Sequence, residues 1–367
     1  MKHRFEVLDI FRGIFASMVV LFHLSAFSDT PILNNEFIYN SDMFVDFFFV
    51  LSGFVIVYNY QDISSLNQLK IFLTKRLVRV YPLHLLMLVI FLIIEASKHS
   101  ASAYVHVNKL ENTNNNIYSF FTNLFLINSV QLFNIQDVSW NIPSWSISAE
   151  VVSYTVFGLT MVLLSQYKLQ SRRNIFFFII IFVSVVLLVN VTHTFKINYS
   201  YNYGFLRGII GFFSGAICYF VFSKFYTTAK SAKKTIFTIT EIGILIILFL
   251  MTCYGAILKE VGLIYEVAFF AGILIFSFEK GSISQSLKKS TFLKNIGTYS
   301  YSIYMTHALL LSLFNIVFIR ILKFPPSSYS YLFILNYYII YKVSQWTYKH
   351  VEMRFKIKKR LVDSVAY

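Results

Sequence analysis

Hydrophobic residues lie along this chain in blocks, and short polar segments separate the blocks. Most blocks approach the length of about twenty residues that a helix needs to cross the ~30 Å hydrocarbon core of a bilayer. They are continuous and do not alternate with period two, which argues against the strands of a membrane β-barrel. The pattern predicts an all-α, polytopic membrane protein with about ten transmembrane helices. The predicted spans are 8–27, 43–60, 78–96, 146–165, 175–192, 205–223, 236–256, 262–278, 297–319 and 331–349.

Basic residues are concentrated in alternate connections between these predicted spans. With a cytoplasmic N-terminus, the segments on the inside carry most of the lysines and arginines. This asymmetry follows the positive-inside rule and predicts that both termini are cytoplasmic. The segments on the outside carry only Lys98, Lys109, Lys196, Lys259, Arg320 and Lys323.

The block at 118–134 does not fit this alternation, because it is short and rich in asparagine and serine. Counted as a span, it would place Arg172 and Arg173 outside. We therefore predict a re-entrant or outer-face segment, which is tolerated at that depth only against protein or a wet cavity. The polar stretch 97–117 before it is predicted to be an external loop.

The connections are too short to hold a second, soluble domain, and no internal repeat is visible. We predict one transmembrane domain over 1–350 and a basic cytoplasmic tail over 351–367. The first block has no clear small-x-small cleavage site before Phe27, so we predict an anchor and not a cleaved signal peptide.

The composition agrees with a membrane protein, since 57% of the residues are hydrophobic and 13% are charged, against about 25% charged in soluble domains. The net charge of +15 would also suit a nucleic-acid-binding protein. The basic residues are instead concentrated in alternate connections between the spans. This position predicts membrane lipid, and no nucleic acid, as a partner. Cys218 and Cys253 both fall in apolar blocks, which excludes a disulfide framework and a zinc-binding spacing.

Arg12 and His23 interrupt the first block and are eleven residues apart. At about 100° per residue they return to within ~20° of the same helix face, ~16 Å apart along the axis. A charge inside a membrane helix is costly and usually faces the bundle interior or a wet cavity. The alternative is that Arg12 snorkels to the lipid headgroups and that His23 is a hydrogen-bonded packing residue.

Polar residues also interrupt four later blocks. Asp46 lies in the aromatic run FVDFFFVLSGFVIV, and Glu150 lies early in a predicted span next to two tryptophans. Arg207 lies in a glycine-rich block, and His307 ends the stretch IGTYSYSIYMTH. Intramembrane charges of this kind fit an enzyme or a proton-coupled carrier.

Arg76 and Arg79 are three residues apart, so one face of a helix just inside the inner surface presents both. Two guanidiniums at that place suit a multiply charged phosphate ligand, because each binds phosphate bidentately. The alternative is ordinary anchoring by contact with lipid headgroups.

Six features in this order resemble the acyltransferase-3 family of membrane-bound O-acyltransferases that act on bacterial surface glycans. The features are LDIFRG at 8–13, the spacing of Arg12 and His23, DFFFVLSGF at 46–54, RLVRVYP at 76–82, WSISAE at 145–150 and SYSIYMTH at 300–307. The chain departs from the family at Glu352, which is followed by Met353 where the family often has proline. The extracytoplasmic esterase-like domain of some members is not expected here.

The resemblance implies acetyl-CoA as the cytoplasmic acyl donor, no metal, and a glycan or lipid-linked sugar as the acceptor. It implies His23 as the general base or acyl relay, supported by Arg12, Asp46 and Glu150. It also implies a location in the bacterial inner (cytoplasmic) membrane. Donor binding is expected from Arg76, Arg79 and Arg207, and His307 is a further candidate for the site.

A proton-coupled transporter or flippase of a glycan or small solute is the alternative function. Such carriers often show repeated halves with broken helices in matching positions, and none is visible here. The polar groups instead gather in the first 150 residues, with Arg207 and His307 added later, which favours an enzyme. The acceptor stays open between O-antigen, capsule or exopolysaccharide, a lipo-oligosaccharide and peptidoglycan. Direct transfer and a covalent acyl relay also both stay open.

Overall fold

The computed structural model describes residues 3–103, 112–132 and 136–355, and within them the chain is helical, without a β-strand. Two π-helical turns, Ile316–Ile321 and Tyr348–Glu352, follow the two C-terminal helices. The α-helices are α1 (Glu6–Ser25), α2 (Glu36–Tyr39), α3 (Phe44–Tyr60), α4 (Leu66–Ser102), α5 (Ile117–Leu124), α6 (Ser144–Gln166), α7 (Arg173–Thr192), α8 (Gly204–Ser231), α9 (Lys234–Cys253), α10 (Gly255–Leu258), α11 (Leu263–Ser277), α12 (Ser282–Leu287), α13 (Thr291–Asn315) and α14 (Tyr329–Thr347).

The all-helical, polytopic architecture predicted from the hydrophobic blocks is confirmed. In the part of the chain that the structure describes, eight helical segments are long and apolar enough to cross a membrane. The segments Gly255–Val261 and Leu263–Ser277, bent by 100°, bring the number to nine if the pair forms one span. The last predicted span coincides with α14, which is 19 residues long but rich in tyrosine and is not among these candidates.

The predicted span 78–96 is the middle of a much longer helix, because α4 has 37 residues. Basic residues are frequent before position 78, but the residues between them form an apolar face that continues the helix. On this face Leu69 and Phe72 are buried with Phe157 of α6 in one hydrophobic cluster. The helix therefore begins at Leu66, and its basic residues lie inside it.

The described part of the segment 118–134, up to residue 132, contains no membrane-spanning helix. Its helix α5 has eight residues, and Asn116 and Ser119 form a capping box at its start. The chain then turns back against α6, where the hydroxyls of Ser129 and Ser148 lie 2.8 Å apart. The exact tail prediction, 351–367, lies outside the described residues beyond position 355.

Two pairs of helices approach each other closely at glycines. A Cβ atom on Gly13 of α1 would overlap the backbone of Gly297 in α13, and one on Gly297 would overlap α1. In the same way, a Cβ atom on Gly53 of α3 would overlap the backbone of α8, and one on Gly215 would overlap α3. Small residues let membrane helices pack backbone to backbone, so these contacts fix the helices that carry the polar groups.

Candidate active site

A cavity of about 120 Å³ lies between α1, α3, α4, α6 and α13. Since one water needs roughly 10–15 Å³ of such space, the cavity has room for several waters or part of an elongated ligand. Its charged lining is cationic overall, with three arginines and one glutamate. The charged residues are Arg12, Arg76, Arg79 and Glu150, and polar side chains come from Ser52, Ser146, Tyr154, Ser300, Tyr301 and Tyr304.

Arg12 is held against α13 at the close contact between the two helices. Its Nε donates to the hydroxyl of Ser300 at 2.8 Å, and Nη2 donates to the carbonyl of Gly297 at 3.3 Å. Asp9, one turn earlier in α1, lies 3.2 Å from Nη2. The guanidinium is therefore fixed in place while it lines the cavity.

Arg76 and Arg79 both line the cavity from the same face of α4, as their spacing predicts. Arg76 donates to the hydroxyl of Tyr60 at 2.9 Å. Arg79 is exposed into the cavity. Among the residues that the structure describes, no hydrogen bond or ion pair reaches its guanidinium. The cavity thus contains a cation that is available to an anionic ligand.

Glu150 forms the acidic part of the cavity wall. Its carboxylate accepts a hydrogen bond from the hydroxyl of Ser52 at 2.5 Å and another from the hydroxyl of Tyr154, one turn further along α6. These bonds tie α3 to α6 at the cavity. The structure places Glu150 among the arginines and does not bring it into hydrogen-bond contact with His23.

Two tyrosines of α13 complete the wall, and neither is among the site residues predicted from the sequence. Tyr301 donates to the carbonyl of Val80 in α4 at 2.5 Å, and Tyr304 accepts from Ser146 of α6 at 2.9 Å. The signal that points to them is their spacing of three residues. That spacing puts both on one helix face together with the neighbouring motif residues.

His23 lies against His307 further along the same pair of helices. Nε2 of His307 is 3.3 Å from Nδ1 of His23, and Nδ1 of His307 is 2.6 Å from the carbonyl of Tyr304. His23 Nδ1 is also 2.9 Å from the carbonyl of Val19. Arg12 and His23 therefore both face α13, with the cavity at one end of this contact and the histidines at the other.

Asp46 and Arg207 pair with each other across α3 and α8. The two carboxylate oxygens accept from Nε and Nη2 at 2.6 and 2.8 Å, and the side chains are 0% and 3% exposed. Arg207 also lies over the ring of Trp145 and donates to the carbonyl of Tyr199. Their predicted roles beside His23 and at the donor stay predictions, since the structure brings neither into hydrogen-bond contact with His23 or Arg79.

No group of three or more histidine, cysteine, aspartate or glutamate side chains that could hold a metal ion occurs within residues 3–103, 112–132 and 136–355. The cavity, where guanidiniums from α1 and α4 converge, presents groups that can bind an anionic ligand.

The comparisons with known proteins agree with this arrangement. No curated protein and no solved structure matches the chain. The family model Acyl_transf_3, described as an acyltransferase domain, matches residues 5–342. That range includes every helix lining the cavity and both histidines, and it covers most of the 367 residues. The chain therefore belongs to the acyltransferase-3 family of multi-pass membrane acyltransferases.

Proposed function

We propose that this acyltransferase moves an acetyl group from cytoplasmic acetyl-CoA to a sugar hydroxyl of a surface or secreted glycan, and that it works in the bacterial inner membrane. One observation carries the proposal: Arg79 lines the cavity inside the bundle next to Arg12 and Arg76, and no described residue forms a hydrogen bond or ion pair with its guanidinium. Charged side chains inside a membrane bundle usually face a wet cavity and mark a binding site or pathway, and Arg79 is exposed into such a cavity.

The arginine end of the cavity is the proposed donor site. Coenzyme A carries several phosphates, and a guanidinium binds phosphate through two parallel hydrogen bonds. Arg79 supplies such a fork without having to release a protein group, and Arg76 and Arg12 add positive charge beside it. Arg207 makes its own bidentate pair with Asp46, so this geometry supports the donor role of Arg76 and Arg79 more than that of Arg207.

The pair of histidines, at the other end of the contact between α1 and α13, is the proposed site of chemistry. His23 lies eleven residues beyond Arg12, or ~16 Å along the helix axis. An elongated donor held at its phosphates suits a site whose anion-binding groups and base lie that far apart. A neutral imidazole at this place has the right chemistry to accept the proton of an acceptor hydroxyl. The same nitrogen also suits an acyl relay, so both mechanisms are compatible with the geometry.

The experiment is turnover of radiolabelled acetyl-CoA by the purified protein in lipid nanodiscs with an extracted surface-glycan fraction. We expect free coenzyme A and labelled glycan to form together. The variant Arg79→Ala should raise the KM for acetyl-CoA by at least about tenfold, because a charge-assisted hydrogen bond contributes ~1.5–3 kcal/mol. Arg172→Ala, which removes an exposed arginine outside the cavity, is the matched control and should change little.

Two outcomes would contradict the proposal. Equal KM values for Arg79→Ala and Arg172→Ala would move the donor site away from the cavity. Absence of coenzyme A release, combined with uptake of labelled solute by vesicles that contain the protein, would favour the alternative of a carrier.

A further inference from the structure

The two histidines are connected in a way that fixes where their protons lie. A backbone carbonyl only accepts, so Nδ1 of His307, 2.6 Å from the carbonyl of Tyr304, carries a hydrogen. By the same reasoning Nδ1 of His23, 2.9 Å from the carbonyl of Val19, carries one as well. In a neutral imidazole the other nitrogen is then a bare acceptor.

The contact between the rings fits this assignment. Nε2 of neutral His307 is an acceptor that lies 3.3 Å from Nδ1 of His23, so it shares the one Nδ1–H with the carbonyl of Val19 at 2.9 Å. His23 therefore donates from Nδ1 and leaves Nε2 with a free electron pair. The chain of bonds runs from His23 to His307 and on to the carbonyl of Tyr304. It places the reactive pair of His23 on the side of the ring that faces away from His307.

In the described part of the chain, no carboxylate forms a hydrogen bond or ion pair with His23. Asp42, whose turn packs against α1, is paired with Lys259 at 2.5 Å, and Asp46 is paired with Arg207. Glu150 is bonded to Ser52 and Tyr154. His307 is fully buried, with 0% of its surface exposed, and contacts His23 ring to ring. The side chain that meets Nδ1 of the proposed base, beside the carbonyl of Val19, is thus an imidazole and not an acid.

We propose that His307 is a positioning residue, which accepts a hydrogen bond from Nδ1 of His23 and so presents Nε2 of His23 to the acceptor hydroxyl. This inference rests on the proposed function. In the reaction, the hydroxyl proton moves to Nε2 of His23 while the oxygen bonds to the thioester carbonyl carbon. The carbon–sulfur bond then breaks, the electron pair leaves with the sulfur of coenzyme A, and the proton on Nε2 restores the thiol.

The role of His307 in this step is electrostatic as well as geometric. When Nε2 of His23 takes the proton, the ring becomes a cation in a site with little water. Its Nδ1–H then donates more strongly to the lone pair of His307. An orienting carboxylate has the same effect on the histidine of a catalytic triad.

The test compares His307→Gln with His307→Leu. Glutamine keeps an acceptor for the Nδ1–H of His23, whereas leucine fills similar space without one. We expect His307→Gln to keep kcat within about threefold of the native value. His307→Leu should lose at least about tenfold in kcat, with an unchanged KM for acetyl-CoA. General base catalysis contributes ~10²–10⁴-fold to the rate, and a poorly oriented base loses part of that contribution.

A second readout does not depend on activity. Nitrogen-15 NMR of histidine-labelled protein, assigned with His23→Ala, should show His23 with a protonated Nδ1 and a bare Nε2. In His307→Leu these two signals should broaden or change, and in His307→Gln they should persist. A purely space-filling role of His307 would leave the His23 signals unchanged in both variants.

The results separate this inference from the proposed function. Native activity that is lost in His23→Ala but kept in His307→Leu would overturn the role of His307 alone. Equal losses in His307→Gln and His307→Leu would overturn the hydrogen-bond acceptor. A native protein without acyl transfer would overturn the proposed function, and the NMR measurement would still decide whether His307 orients His23.

Discussion

At the scale of single residues, two situations of ionisable side chains inside the bundle differ in what they can bind. Arg79 and Arg12 face the cavity, and Arg79 has no protein partner in the described part of the chain. Asp46 and Arg207 instead face each other, fully bonded and nearly without exposure. An unpaired charge is available to a ligand, whereas a paired one holds helices together.

The pairing of Asp46 with Arg207 leads to a stability prediction. Asp46→Asn leaves the buried guanidinium without its counter-charge, and breaking such a pair typically costs about 3–5 kcal/mol. We expect a clear fall in the melting temperature of the protein in detergent. Asp42→Asn, which breaks the more exposed pair with Lys259, is the control and should cost much less.

The double variant Asp46→Leu with Arg207→Met should recover much of this loss, because the guanidinium is removed together with its bidentate partner. Equal melting temperatures for native protein and Asp46→Asn would contradict the interpretation of this pair as a clamp between α3 and α8.

Sequence periodicity predicts one part of this residue-scale picture and not the other. Helical spacing alone puts Arg12 and His23 on one face, and both do face α13. The partner of Asp46 is 161 positions away, and no local pattern states that α3 and α8 are neighbours. The sequence alone therefore does not distinguish an ionisable residue that pairs two helices from one that belongs to a binding site.

At the scale of elements, the contact between α1 and α13 is the feature that assembles the site. Gly13 and Gly297 bring the two backbones together, Arg12 bonds to α13 at this point, and His23 meets His307 further along. The two helices run side by side in the same direction. A shift between them would therefore disturb both ends of the site at once.

The variant Gly297→Ala tests this contact. The added Cβ atom would overlap the backbone of α1, and overpacking of this kind costs about 1–3 kcal/mol. We expect a lower melting temperature and a larger loss of acyl transfer than the lost stability explains. Gly243→Ala is the matched control, since its Cβ atom would meet nothing within 4 Å. Similar activity in both variants would contradict the account.

Element boundaries show why the local sequence misplaces one helix. The basic residues before position 78 indicate a cytoplasmic connection, yet α4 already begins at Leu66. Burial of Leu69 and Phe72 against α6 stabilises this extra length. Hydropathy averages over a whole helix circumference and misses such a narrow apolar face. The RxxR motif therefore lies inside a helix, where both arginines reach the cavity.

At the scale of the whole molecule, the charge pattern is compatible with the proposed transfer from a cytoplasmic donor. The positive-inside rule assigns the basic connections to the cytoplasm, which is where the proposed donor is found. Arg76 and Arg79 lie nearer that side along α4, and His23 lies nearer the opposite end of α1. The family match over residues 5–342 and the cationic cavity together favour group transfer over carriage of an intact solute.

The central claim is that this protein attaches acetyl groups to a glycan by means of His23. The most direct measurement is the amount of ester-linked acetate on the surface glycans of bacterial cells that express the chain. Native protein, His23→Ala, and His193→Asn would be compared at equal membrane levels, with cells lacking the chain as the baseline. His193 lies outside the site with φ 54°, a conformation that asparagine tolerates.

The account predicts ester-linked acetate above the baseline with native protein and with His193→Asn, and baseline levels with His23→Ala. Acetate that stays at the native level in His23→Ala would contradict the assignment of the base. Baseline acetate with native protein, in cells whose glycan accepts acetate from an unrelated glycan O-acetyltransferase, would contradict the claim itself.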